Sequence, residues 1–229
     1  MGLVPQLVIF VSLILVLSAL RTRLVYELTG SSLLLFRTTK PGLYLFSILV
    51  LPGTILHELS HWLTAELLGV RTGAITILPS LSGQTKEEQL GSVATAKTDP
   101  LRGFLIGIAP LLTGLLVLVV LGQLKFSLLT AYGIMVVGNS MLISRADRAT
   151  WPVVIVLALL ATIVLWRYNL ALPPNLINSS TSLFSQLNWV LGLTAGVNLV
   201  MICVSLLLRR GIEGITRQRI VPNKKGTTL

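Results

Sequence analysis

Long apolar runs, separated by short polar segments, dominate the pattern along this chain. Because a helix needs about 20 apolar residues to cross a bilayer, runs of this length predict spanning helices. Six runs approach or reach that length: residues 3–20, 43–69, 103–122, 126–143, 152–166 and 187–208. We therefore expect an all-α polytopic membrane protein with about six transmembrane helices, folded as a single integral membrane domain over residues 1–229.

The composition supports this prediction. The chain is 53% hydrophobic and 11% charged, whereas soluble domains carry about a quarter charged residues. Arg21 and Arg23 follow the first run instead of preceding it, which reverses the order of a secretory signal, so we expect this run to stay as a span. The lone cysteine, Cys203, excludes an internal disulfide.

The formal net charge of +10 raises the question of an acidic partner. No basic segment is interleaved with aromatic residues, so we expect the Lys and Arg side chains to meet lipid headgroups and not nucleic acid. Six spans would place both termini on one side of the membrane, together with the loop 70–102. Most Lys and Arg residues fall on that side, which predicts that the termini face the cytoplasm.

Two connecting segments have patterns of their own. Residues 21–40 predict a short hairpin around the sequence TGSS at the outer surface. In the loop 70–102, GAITIL (73–78) and GSVATA (91–96) are rich in β-branched residues and flank a polar turn, which predicts a small membrane-surface β-hairpin between spans two and three. This hairpin either holds an extended peptide by strand addition or only connects two helices, and the sequence leaves both open.

The second apolar run contains the only two histidines of the chain, in ILHELSHWLTAELLG (55–69). Pro52 and Gly53 interrupt this run and predict that a helix starts there and ends at Gly69. Within it, His57, Glu58 and His61 fit the pattern H-E-x-x-H. At about 100° per residue, His61 lies about 40° from His57, so both imidazoles can face one ion.

These residue types suit a zinc site. Two neutral imidazoles bind Zn²⁺ and leave a coordination position for water, whose proton the adjacent Glu58 can accept. The alternative is a polar cavity without metal. Because ionisable groups inside a membrane cost a few kcal/mol each, a bound ion is the stronger reason for placing three of them here.

A zinc site of this kind needs a third protein ligand. Glu66 shares the helix but lies about 180° from His57 and faces away. Asp147, at the end of the fourth run, can reach the depth of His61 if residues 144–147 dip into the membrane. An ion pair with a neighbouring arginine, or capping of the next helix, is the alternative role for Asp147.

In this order the residues resemble the site-2 protease family of intramembrane zinc metalloproteases. That family has an H-E-x-x-H helix, then membrane-associated strands, then a span that opens with a Gly-Pro element. A further span ends in N-x-x-P-x-x-x-L-D-G, whose Asp is the third zinc ligand. Here the corresponding segments after the hairpin are GIAPLLTG (107–114) and NSMLISRAD (139–147), and Asn139 precedes Asp147 by the family's spacing.

The resemblance covers residues 43–152, a metalloprotease-like core, and leaves 1–42 and 153–229 as accessory spans and a basic tail. Three positions depart from the family pattern. Leu142 stands in place of the motif proline, Ser60 stands where the family has Gly, and Ala and Arg flank Asp147 in place of Leu and Gly.

The resemblance implies a zinc endopeptidase that cuts membrane-embedded or membrane-anchored proteins near the cytoplasmic face, in a bacterial cytoplasmic membrane. It implies that His57, His61 and Asp147 hold Zn²⁺, that Glu58 activates water, and that Asn139 binds the substrate or the oxyanion. One alternative is a non-catalytic membrane protein of the same fold that acts in binding or assembly. Another is a metal transporter, which is expected to show a second interrupted helix.

Overall fold

The computed structural model describes residues 2–76, 92–95, 98–142 and 173–218, together with a few separate helical positions between 152 and 167. In this part of the chain there are five helices and two strands: α1 (Leu3–Phe36), α2 (Lys40–Leu67), β1 (Thr72–Thr76), β2 (Ser92–Thr95), α3 (Pro100–Gln123), α4 (Leu128–Ser140) and α5 (Pro174–Thr216). Helices α1, α2, α3 and α5 are each long and apolar enough to cross a membrane, and α4 is a shorter apolar helix. The prediction of a helical membrane protein is thus supported. Most of the fifth apolar run, 152–166, lies outside the described residues.

Helix α2 is continuous across the proline that was expected to begin it. It runs from Lys40 to Leu67 with Pro52 inside, so the predicted interruption is wrong. A proline in a membrane helix removes one backbone donor, and packing against neighbouring helices tolerates that loss. The helix does end where predicted, because Gly69 adopts a left-handed conformation (φ 67°) directly after it.

The residue next to that proline brings two helices together. A Cβ atom added to Gly53 would lie 2.7 Å from the carbonyl oxygen of Val136 in α4, and closer still to the Ser140 hydroxyl. Only glycine allows this approach. The end of α4 therefore reaches the part of α2 that carries the histidine motif.

The predicted hairpin around TGSS is also wrong. Those residues lie inside α1, where the hydroxyl of Thr29 donates to the carbonyl of Val25 and that of Ser31 to the carbonyl of Glu27. The chain turns later, at Arg37, which has a left-handed conformation (φ 55°). The hydroxyls of Thr29 and Ser31 bond to the backbone of their own helix, so they do not break it.

Helices α1 and α5 run in the same direction. The side-chain amide of Asn188 donates to Gln6 near the start of α1, and Arg209 pairs with Glu27 farther along it. The end of α5 therefore lies at the same end of the bundle as Phe36 and at the opposite end from Leu3. This arrangement differs from the expectation that both termini share one side.

The two strands follow α2 and form one antiparallel pair. Ile75 lies opposite Val93 in the register. The strands cover the described parts of the two predicted segments; residues 77–91 and 96–97 lie outside the described part of the chain. The pair is attached to the end of α2, since the amide of Val70 donates to the carbonyl of Ala65.

Two apolar clusters hold the helices together. The larger joins α1, α3, α4 and α5 around Leu17, Leu118, Ile134 and Leu191. The second joins the later part of α1 to α2, α4 and α5, and it includes Leu24, Phe46, Val50 and Met135. Helix α4 contributes residues to both clusters and α2 to the second. Close packing of this kind restricts the backbone that surrounds the histidine motif.

Candidate metal centre

The two histidines of α2 meet through their side chains. Their Nε2 atoms are 3.2 Å apart, and the rings pack edge to face with centroids 4.8 Å apart. His61 is buried and His57 is partly buried. The prediction from helical spacing, that both imidazoles face the same point, agrees with this geometry.

Each ring is oriented by a backbone carbonyl from a different helix. The Nδ1 atom of His57 is 2.7 Å from the carbonyl oxygen of Ser140 at the end of α4. The Nδ1 atom of His61 is 2.8 Å from the carbonyl oxygen of Ile106 in α3. A carbonyl oxygen only accepts hydrogen bonds, so each Nδ1 atom carries a proton and donates it.

This protonation decides what the facing nitrogens can do. A neutral imidazole has one N–H, so protonated Nδ1 atoms leave an unprotonated lone pair on each Nε2 atom. Two such lone pairs pointing at each other repel. A cation between them, either a second proton on one ring or a metal ion, would relieve that repulsion.

The donor set fits zinc. With Zn–N distances of about 2.0–2.1 Å and a tetrahedral angle, two coordinating nitrogens lie about 3.3 Å apart, close to the 3.2 Å between His57 and His61. Metal-binding histidines commonly donate their other N–H to a carbonyl or carboxylate, which holds the ring in place. Both features required of a pair of zinc ligands are present.

Glu58 lies on the inner side of the same helix. Its side chain is 5% exposed, whereas the neighbouring Leu59 is 45% exposed on the outer surface. On this turn of α2 the polar residues face the bundle and the apolar residues face outward, as expected for a membrane helix that lines a polar site. Glu66, which was expected to face away, accepts a hydrogen bond from Thr72 at the start of β1.

The predicted third ligand cannot be placed. Asp147 lies outside the described residues, and within the described ranges no group of three or more His, Cys, Asp or Glu side chains is arranged to hold a metal. The last described residues before Asp147 lie beside the histidines. Ser140 contacts His57, and Met141 and Leu142 are buried directly after it.

Asn139 is buried, and it faces α5 through hydrogen bonds that use both of its donor hydrogens. Its Nδ2 atom donates to the carbonyl of Met135 and to Oδ1 of Asn198, both at 2.7 Å. The bond to the Met135 carbonyl fixes which end of the amide is nitrogen. To donate to an oxyanion, Asn139 would have to give up one of these two bonds.

Asn198 is a buried polar residue that the sequence reasoning missed. Its Nδ2 atom and the Oδ1 atom of Asn139 have no hydrogen-bond partner among the described residues. The available signal was an amide in the middle of the apolar run 187–208. Such residues in membrane helices commonly bond across to another helix.

A second polar group, here called the ionic cluster, consists of the buried Glu27, the partly buried Arg209 and Glu213, and the half-exposed Arg23. Glu27 is fully buried between the two arginines, with Arg23 at 2.6 Å on one side and Arg209 on the other. Arg209 also pairs with Glu213 at 3.0 Å. Glu213 lies in α5, because the helix continues to Thr216 and carries it beside Arg209.

Comparison with protein-family models, curated proteins and solved structures gives no match for this chain.

Proposed function

We propose that this protein is an intramembrane zinc endopeptidase, similar to the site-2 proteases, that cuts membrane-embedded or membrane-anchored proteins. One observation carries the proposal: the two Nε2 lone pairs of His57 and His61 converge at zinc-ligand spacing while backbone carbonyls hold both Nδ1 protons. This arrangement is typical of metal-binding histidines, whose other ring N–H is commonly held by a carbonyl or carboxylate.

In this proposal His57, His61 and Asp147 hold the zinc ion. When bound, zinc supplies a Lewis acid that polarises the peptide carbonyl and activates water. The Glu58 carboxylate takes a proton from the attacking water and passes it to the leaving amine nitrogen. The burial of Glu58, the residue after His57, supports this role, since it places the carboxylate on the inner side of α2.

The membrane setting is part of the proposal. The histidines lie within α2 and not at its ends, and His61 is about 9 Å of helix from Leu67. We propose that the strand-bearing end of the bundle faces the cytoplasm at the membrane surface, and that the membrane is the bacterial cytoplasmic membrane. The parallel packing of α1 and α5 does not fit six consecutive spans, in which the first and the sixth run in opposite directions. Arg71 and Arg102 flank the strands and favour that orientation.

The parallel packing of α1 and α5 weakens the original charge argument for this orientation. Arg209 and Arg210 lie near the end of α5, at the opposite end of the bundle from Arg71. Labelling of single introduced cysteines with a membrane-impermeant reagent, in Cys203→Ser protein, measures the orientation directly. A cysteine at position 71 that is labelled from outside intact cells would contradict a cytoplasmic site.

The central experiment combines metal analysis with cleavage. Purified wild-type protein is expected to hold one zinc ion, and so is Glu58→Gln, because the glutamate is not a ligand in this proposal. Cleavage of single-span reporter proteins in liposomes is expected to fall about 10³-fold in Glu58→Gln, within the range found for loss of a general base.

Glu66→Gln is the matched control. It makes the same chemical change on the same helix, next to the strands and away from the histidines, and should cleave at the wild-type rate. Undiminished cleavage by Glu58→Gln would contradict the general-base role.

The second candidate is a non-catalytic protein of the same fold that uses the site for binding or assembly. The occupied donors of Asn139 favour it, because the amide expected to assist the reaction is committed to Met135 and Asn198. It predicts that the purified protein holds no stoichiometric metal, or that Glu58→Gln has no phenotype. The transporter alternative is weaker than before, since α2 has no interruption at Pro52.

A further inference from the structure

The carbonyl that orients His61 is available because of a proline one turn away. In an α-helix the carbonyl of residue 106 accepts the N–H of residue 110. Here residue 110 is Pro, which has no N–H. The Ile106 carbonyl therefore lacks its helical donor, and the Nδ1 proton of His61 takes that place at 2.8 Å.

The other ring does not depend on such a substitution. Ser140 is the last residue of α4, and the final four carbonyls of any helix lack intrahelical donors. The Ile106 carbonyl is different, because α3 continues as a helix from Pro100 to Gln123 on both sides of Pro110. A carbonyl in the middle of such a helix is normally satisfied, so its availability here is a property of residue 110.

Pro110 itself is buried in the bundle, as are its neighbours Ala109 and Leu111. An unsatisfied carbonyl at this depth would be costly, because there is little water to bond it. Pro110 therefore leaves the Ile106 carbonyl without a helical donor, and the imidazole of His61 supplies a donor from the adjacent helix.

We propose that Pro110 is a positioning residue of the metal centre, which acts by withholding one backbone hydrogen. This inference rests on the proposed function. Any other residue at position 110 restores an N–H that competes for the Ile106 carbonyl. His61 then loses the partner that keeps the proton on Nδ1, and the tautomer with the proton on Nε2 cannot bind metal through the Nε2 atom that faces His57.

The test replaces Pro110 in two ways that differ by one group. Pro110→Ala introduces an N–H. Lactic acid, incorporated at position 110 by nonsense suppression, has the side chain of alanine but an ester linkage, so it has no N–H. Zinc affinity is measured by competition with a chromophoric chelator, and the ligand field is measured from the absorption spectrum of the Co²⁺-loaded protein.

We expect zinc affinity to fall about 10- to 100-fold in Pro110→Ala, the range found when an outer partner of a metal ligand is lost. The ester variant should recover most of that affinity and the wild-type Co²⁺ spectrum. Leu112→Ala, on the exposed side of α3, controls for loss of packing and should resemble wild type.

A second readout requires no metal. With two histidines in the chain, ¹⁵N NMR of the metal-free protein, assigned with His57→Gln, reports the His61 tautomer. We expect Nδ1–H in wild type and in the ester variant, and a mixture in Pro110→Ala. If Pro110→Ala does not fold, the ester variant alone tests the inference, because its zinc affinity and its His61 tautomer must then match those of wild type.

The outcomes separate the two proposals. Wild-type protein that binds no zinc but shows the expected tautomers overturns the proposed function and leaves the role of Pro110 supported. Equal zinc affinity and equal tautomers in wild type and Pro110→Ala overturn the role of Pro110 alone. Weak binding in both variants shows that the proline ring, and not the missing hydrogen, is what matters, and this also overturns the inference.

Discussion

The histidine pair in α2 and the ionic cluster between α1 and α5 both place ionisable groups inside an apolar bundle, and they do so differently. In the ionic cluster each charge has an opposite charge beside it, and Glu27 has an arginine on each side. In the histidine pair the two groups that face each other are both acceptors. Opposite charges stabilise the first arrangement, whereas a cation between the rings would stabilise the second, as proposed above.

This comparison shows why burial of charge is a weak sign of function. Glu27 is more deeply buried than Glu58, yet its contacts describe a structural link between two helices. The stronger sign is a pair of acceptor atoms that face each other, because each belongs to a ring held in place by another hydrogen bond. Hydrogen bonds from the Nδ1 atoms to the carbonyls of Ser140 and Ile106 keep the rings of His57 and His61 in that arrangement.

The largest expected effect removes one side of the histidine pair. His61→Ala and His57→Ala should each abolish stoichiometric zinc binding, because the remaining residues supply too few ligands for tight binding. Inductively coupled plasma mass spectrometry of detergent-purified protein measures the zinc content. Glu27→Gln is the control from the other region and should keep its zinc. Full zinc content in His61→Ala would contradict the assignment of His61 as a ligand.

The next effect concerns the ionic cluster. Glu27→Ala leaves Arg209 buried with one acidic partner in place of two. We expect the free energy of unfolding to fall by about 3 kcal/mol, as for other broken buried pairs. Reversible denaturation in mixed micelles measures this change, and zinc affinity should not change.

An exposed ion pair provides the matched control for that measurement. Arg102 and Asp99 are 3.3 Å apart, and both side chains are about half exposed. Arg102→Gln should change the free energy of unfolding by less than about 1 kcal/mol. Equal losses in Glu27→Ala and Arg102→Gln would show that burial of the ionic cluster contributes nothing.

The Asn139–Asn198 pair should give a smaller effect that sharpens the comparison. Asn198→Ala removes one acceptor from the Asn139 amide, and we expect a loss of about 1 kcal/mol, typical of a side-chain hydrogen bond in a membrane bundle. Zinc content should stay at the wild-type value. If cleavage by Asn198→Ala rises as the Asn139 amide is released, then Asn139 is a donor to the reacting groups; unchanged cleavage assigns the pair to structure.

The smallest effect is a pH dependence at the start of α3. The backbone N–H of Arg102 donates to the Asp99 carboxylate and lowers the pKa of Asp99, with a further contribution from the Arg102 charge. A lowered folded-state pKa stabilises the protein above the unfolded pKa of about 3.8 and is lost as the pH falls through the folded value. Asp99→Asn should remove this slope from denaturation curves measured between pH 5 and pH 3, and an unchanged slope would contradict it.

Local pattern was sufficient for several parts of the molecule. The apolar runs identified the long helices, because a spanning helix has few ways to satisfy its backbone. The spacing of His57 and His61 put both rings on one side of α2, since helical geometry relates residues one turn apart. Gly69 ended the helix as expected, because a left-handed residue suits glycine.

Local pattern was not sufficient where the outcome depends on a second helix. Pro52 predicts a break, yet α2 is continuous through Pro52, next to the point where α4 packs closely against Gly53. The hairpin expected around TGSS failed because Ser and Thr can bond to their own helix. The count of six spans placed the termini together, whereas the parallel contacts of α1 and α5 separate the ends of those helices.

The sequence by itself determined that this chain is a helical membrane protein with two histidines and a glutamate on one turn of a buried helix. Only the tertiary structure decided that the two rings are locked by the carbonyls of Ser140 and Ile106, and that Glu27 pairs with an arginine 182 residues away. The physical reason is range. Helical periodicity relates neighbours within a few residues, whereas an acceptor in another helix becomes a partner only when packing brings the two backbones together.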